Sequence, residues 1–152
     1  MSEAAPLTSA DLELTRVLLE IRFCARVDRI KLIRRVVEAS ALMCDLESEH
    51  ARDVVLAVDE ACQNIIVHGY KSQGGGEIVL TLASLDDGLL VELRDKAPRI
   101  DPAKIQHRAL HDVKPGKLGC YFMGAIMDRV EYLPDPGGGN LLRMYKRKDG
   151  SS

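Results

Sequence analysis

The chain of 152 residues contains no run of about 18 apolar side chains, the length a helix needs to cross a bilayer. It has no excess of charge either: 21 Lys and Arg against 23 Asp and Glu leave a formal net charge of −2, which excludes a global basic field for nucleic acid. Any anion site must therefore be local. Cys24, Cys44, Cys62 and Cys120 form no C-x-x-C pair, and their wide spacing within apolar segments predicts reduced core thiols rather than disulfides. The acidic start MSEAAPL lacks the basic n-region of a secretion signal, so a soluble, cytoplasmic protein is expected, with neither membrane nor nucleic acid as a direct partner. No internal repeat occurs, and the Walker A spacing G-x-x-x-x-G-K-[ST] is absent.

What is there suits a compact fold. With 46% hydrophobic and 29% charged residues, the chain predicts one domain over 1–152, its core spanning about 17–147 between unstructured tails. A domain of this size buries about two-thirds of its unfolded surface, enough to need no disulfide or structural metal.

Residues 17–25 (VLLEIRFCA) read as a strand. Asp28 stands where a cap is wanted, before a helix in which Ile30, Ile33, Val36, Val37, Ala41 and Leu42 recur at three- and four-residue spacings. Ser48 precedes a longer helix with Val54, Val55, Val58, Ala61, Cys62, Ile65 and Ile66 on one face, ending near Gly69; the run Gly74 to Gly76 reads as a connector. Residues 77–85 alternate, Asp86-Asp87-Gly88 signals a tight turn, and 89–94 complete a hairpin. The segment 95–117 is polar and, counted from Arg94, carries seven Lys/Arg against three Asp, an excess of +4. Its length and charge predict a lid over 96–115 that orders on polyphosphate. A helix over 118–129, a strand over 130–133, the turn PDPGGGN and a strand over 141–147 follow. This order predicts an α+β two-layer sandwich, with helices on one face of a mixed, mostly antiparallel sheet.

Three constellations bear on chemistry. Glu60 and Asn64 stand four residues apart, about 40° around one helix face, and His68 continues the row. The row reads either as a solvated polar stripe or as a site in which the Asn carbonyl holds Mg²⁺ and the carboxylate takes or polarises a proton. Asp95, directly after an apolar strand, either starts a turn or accepts hydrogen bonds from a purine amino group. The G-x-x-G pair Gly116 and Gly119, around Lys117 and Leu118 at a helix start, suits phosphate. His107 and His111 share an i, i+4 spacing but lack a third ligand, so no zinc is expected. Arg143, Lys146, Arg147 and Lys148 read as a solvated basic edge, and Ile126, Met127 and Val130 as helix core.

In this order the three constellations resemble a known family. The string Glu60-Ala61-Cys62-Gln63-Asn64-Ile65-Ile66-Val67-His68-Gly69-Tyr70 resembles the N box of GHKL-type, histidine-kinase-like ATPases, in the form found in anti-sigma factor serine kinases. Asp95 to Pro102 resemble the first glycine box, Gly116 to Gly119 with Met127 to Tyr132 the second, and Asn140-Leu141-Leu142 with Lys146 the last strand. The resemblance implies a Bergerat-type sandwich that binds ATP and Mg²⁺. It places Asn64 on the metal, Glu60 as base or polarising carboxylate and Asp95 on adenine with Ala97 beside it. Gly116, Lys117, Leu118 and Gly119 fall on the phosphates. Ala97 stands where the family usually has Gly, and Lys117 where it has the second Gly of a pair; the Lys117 ammonium is attractive to polyphosphate. The implied activity is a serine/threonine protein kinase that phosphorylates a STAS-domain anti-sigma factor antagonist and sequesters a sigma factor, with a homodimer left open. The alternative is a non-catalytic, nucleotide-gated binding module.

Overall fold

The structure, a computed structural model, describes residues 16–98 and 123–148. The sequence-predicted phosphate loop (Gly116, Lys117, Leu118, Gly119), the histidine pair, Cys120 and nearly all of the predicted lid lie outside the described residues, as does the start of the helix expected over 118–129. Along the chain run β1 (Val17–Cys24), a 3₁₀ turn (Val27–Arg29), α1 (Ile30–Met43), α2 (Ser48–Asn64), a π turn (Ile65–Gly69), β2 (Glu77–Leu85) and β3 (Gly88–Asp95). A helical turn at 123–126, β4 (Arg129–Pro134) and β5 (Asn140–Arg147) complete it.

The five strands form one sheet in the order β1-β2-β3-β5-β4. All four pairings are antiparallel, so the described strands contribute no parallel pair. Alternation along the strands sorts the side chains. Ile78, Leu80 and Leu82 of β2, Val91 and Leu93 of β3, and Leu142 and Met144 of β5 join one core cluster with α1 and α2. The helices thus cover one face, as the sequence predicts.

On the other face one row of paired residues crosses the sheet: Glu20, Thr81, Glu92, Arg143 and Glu131. At its centre Glu92 is 1% exposed and Arg143 4%. Arg143 donates from both Nε and Nη2 to Glu92 Oε2, at 2.9 and 2.7 Å. The basic edge expected over 143–148 is therefore half wrong, because Lys146 is buried too. Its ammonium donates to the Ile126 carbonyl, which ends the helical turn, and pairs with Asp53 Oδ2 on α2 at 3.3 Å. Partners within the fold balance both charges.

Local departures from the sequence reading have local causes. Asp28 does not cap α1: its carboxylate is taken by Arg26 and Arg29, at 2.9 and 3.0 Å, and the helix starts after the 3₁₀ turn without a side-chain cap. Leu42, read as part of the apolar face of α1, is 46% exposed. Ser40 takes the inward place and satisfies its hydroxyl on the Val36 carbonyl at 2.8 Å. Val130 belongs to β4 rather than to a helix, though it still packs on the core with Ile126, and Met127 is buried in it. Cys24, Cys44 and Cys62 are free thiols, as expected; burial pushes the Cys62 thiol up to about 12, which keeps it protonated and inert.

Candidate functional site

The helical half of the site lies at the C-terminal end of α2. The buried positions Val54, Ala57, Val58, Ala61 and Cys62 hold that helix against the sheet, leaving Glu60 and Asn64 half-buried on the adjoining flank. Burial raises the Glu60 carboxyl above its ordinary range, and the negative charge of Asp59 adds to the shift. Asp59 is itself anchored by Arg34 of α1 at 2.9 Å and by the Gln63 amide at 3.1 Å.

His68 falls in a different kind of turn. After Asn64 the helix widens into a π turn, in which the Tyr70 amide bonds the carbonyl five residues back, Ile65, at 2.8 Å. His68 sits within that turn and is exposed.

The sheet half of the site is built around Asp95, the last residue of β3 and only 5% exposed. Two donors converge on one of its oxygens: the Ala97 amide and the Asn140 side-chain amide each reach Oδ1 at 2.9 Å. The first contact is an Asx turn, so the turn-starting reading of Asp95 is realised. The second ties β3 to the start of β5, and the same Asn140 nitrogen reaches the Ala97 carbonyl at 3.2 Å. Burial raises the Asp95 carboxyl; the two hydrogen bonds pull it back, Asp135 raises it slightly and Lys96 lowers it. Ala97 is buried and its φ is not positive, so the residue standing for the family's usual Gly fits without backbone strain.

The β4–β5 turn closes this corner. Gly139 has φ +90, and a Cβ there would collide with the Asp95 carbonyl oxygen, so a side chain is excluded both by conformation and by space. Lys96 spans the corner, its ammonium donating to the Gly137 and Gly138 carbonyls at 3.0 and 2.9 Å. Sequence reasoning assigned no site role to Tyr70, Lys96, Gly139 or Asn140. The available signal was a three-glycine turn ending in Asn at the start of an apolar strand.

Chemically, the site offers a half-buried carboxylate of raised basicity next to a carboxamide one turn on. Beside β3 it offers a buried carboxylate whose Oδ2 takes no donor among the described residues. The described residues contain no cluster of three or more His, Cys, Asp or Glu for a metal, and no helix long and apolar enough to cross a membrane.

The chain is similar to several proteins of known name. It is 28% identical over 137 residues to the anti-sigma F factor of Clostridium acetobutylicum, covering 85% of this chain and 92% of the relative. It is 28% identical over 130 residues to the serine-protein kinase RsbW of Bacillus pumilus, covering 79% and 80%. The anti-sigma F factor of Caldanaerobacter subterraneus is again 28% identical, over 135 residues. The histidine kinase-like ATPase domain matches residues 23–146, from the end of β1 to the buried lysine of β5, and therefore includes both halves of the site. The chain belongs to the histidine kinase-like ATPase domain family.

Proposed function

We propose that this chain binds ATP with Mg²⁺, phosphorylates a serine or threonine of a STAS-class anti-sigma factor antagonist, and in the unopposed state sequesters a sigma factor. The observation that carries the nucleotide reading is Asp95. Both of its donors sit on Oδ1, which leaves Oδ2 to accept a hydrogen from the adenine amino group. Guanine presents a carbonyl there and is refused.

The residues present fit the metal as well. The Asn64 carbonyl and the Glu60 carboxylate are hard oxygen donors, and Mg²⁺ that arrives with polyphosphate needs few protein ligands. Bound Mg²⁺ would neutralise phosphate charge during transfer. Asn64 would hold it, and Gly116, Lys117, Leu118 and Gly119 would hold the phosphates. Phosphoryl transfer asks the protein mainly for in-line positioning and charge stabilisation. Glu60 would orient the acceptor hydroxyl and take its proton, a role its raised pKa favours. The names of the relatives, an anti-sigma F factor and a serine-protein kinase, support both the partner and the reaction.

Transfer of label from ATP to a STAS-type antagonist tests the reading. Glu60→Gln keeps the shape and removes the base, so transfer should fall by roughly 10²–10⁴ while nucleotide affinity stays within a few-fold. The transfer rate of the unsubstituted protein should fall on acidification, with its midpoint above the ordinary glutamate value of 4.5, because protonated Glu60 cannot accept the proton. A protein that binds ATP and the antagonist yet transfers no label over hours would overturn the kinase reading and leave the nucleotide-gated binder.

A further inference from the structure

Glu60 and Asn64 lie on α2, Asp95 lies on β3, and one side chain ties the two elements. The Tyr70 hydroxyl donates to the Glu77 carbonyl at the start of β2, at 2.7 Å. It also accepts the amide of Lys96, the residue after Asp95, at 2.7 Å. Its backbone amide closes the π turn that prolongs α2. The residue therefore reaches from the end of the Asn64 helix to the backbone that aims Asp95.

The surroundings are shaped to hold it there. Gly76 faces the tyrosine ring so closely that a Cβ would lie 2.6 Å from Cδ1. Lys71 and Ser72 follow in left-handed backbone, at φ 53 and 58, a conformation that residues with side chains seldom adopt. The Ser72 amide to the Ile66 carbonyl, at 2.8 Å, and the Gln73 amide to the Tyr70 carbonyl, at 3.0 Å, lock that bend. A π turn, two left-handed residues and a glycine without room for a methyl group all surround one tyrosine. Backbone held in sparsely populated conformations concentrates where geometry serves function.

We propose that Tyr70 is a positioning residue for nucleotide: its hydroxyl bridge sets the distance and angle between the Glu60–Asn64 end of α2 and Asp95, and so places the phosphates against a fixed adenine. This rests on the nucleotide reading above. Tyr70 touches no reacting atom in this role. It acts through the Lys96 amide on Asp95 and through the π turn on Asn64.

Tyr70→Phe tests it, since the ring stays against Gly76 and only the two hydroxyl contacts go. Calorimetry with ATP, ADP and GTP should show ATP and ADP affinity falling about tenfold, equivalent to ~1.4 kcal/mol. The preference for ATP over GTP should shrink by a similar factor, because the loss acts at Asp95. A purely structural tyrosine would lower the unfolding midpoint and leave that preference where it was. Unchanged affinity and preference in folded Tyr70→Phe would overturn the proposal while leaving the nucleotide reading intact. Failure of the unsubstituted protein to bind ATP would overturn both. Should Tyr70→Phe not fold, Gly76→Ala displaces the same ring from its other side and must reduce the preference for ATP; an unchanged preference there overturns the proposal.

Discussion

At Asp95 stability and the proposed adenine recognition pull in opposite directions. Burial raises its carboxyl, and the hydrogen bonds from Asn140 and Ala97 recover only part of the loss. A carboxyl whose folded pKa is raised contributes stability below its unfolded value, near 3.8, and loses it as pH rises through the folded value. At neutral pH the ionised group is therefore a burden on the fold. Asp95→Asn keeps an oxygen for both donors and removes the charge, so the thermal midpoint at pH 7 should rise and the gain should vanish as pH falls below 4. The same substitution turns the proposed adenine acceptor into a carboxamide, and the preference for ATP over GTP should drop by about 1–3 kcal/mol. Differential scanning calorimetry with and without nucleotide reads both effects. A lower midpoint at pH 7 would show that burial does not dominate at this residue.

Two elements of the sheet, β3 and β5, are joined by a charge pair that hydrophobic patterning does not call for. Glu92 Oε2 takes both Arg143 donors, while Oε1 makes no hydrogen bond and has Arg94 only at 3.5 Å. Removing one partner strands the other in a buried setting, so Arg143→Met should destabilise by about 3–5 kcal/mol in chemical denaturation. Replacing both, as Glu92→Leu with Arg143→Met, should recover most of that loss, because two apolar side chains need no partner. An equally unstable double variant would mean that packing, not charge, makes the row costly to alter. The β2–β3 hairpin around it was plain in the sequence, since period-two alternation and a two-residue loop specify it locally. The pairing of Glu92 with Arg143 was not plain, since 51 residues separate them and nothing local brings them together.

At the scale of the molecule, the proposed nucleotide site draws on α2, the π turn, β3 and the β4–β5 turn, so occupancy should be felt by the whole fold. ATP with Mg²⁺ at 100 times its Kd should add about 2.7 kcal/mol to the stability of the folded state and raise the melting temperature accordingly. Asn64→Ala should lose the Mg²⁺-dependent part of that rise and keep the rest; an Mg²⁺ effect of unchanged size would remove Asn64 from the metal. Strand and helix periods, the order of elements and the family string from Glu60 to Tyr70 were legible in the residues alone, because each depends on neighbours a few positions apart. Glu60, Asn64 and Asp95 could be proposed as site residues for the same reason. The π turn that holds His68 was not legible, because the Tyr70 that closes it is fixed by hydroxyl contacts with Glu77 and Lys96, which lie on β2 and directly after β3. Nor was the burial of Arg143 and Lys146, which hangs on partners from β3 and α2. Asn140 and Gly139 meet Asp95 because β5 lies beside β3, and Tyr70, beyond the π turn, reaches the Lys96 amide next to it. A carboxylate at a strand end is an ordinary feature of a chain. Its burial and the Asn140 donor on Oδ1 come only from the tertiary structure, because β5 must lie beside β3 to supply them.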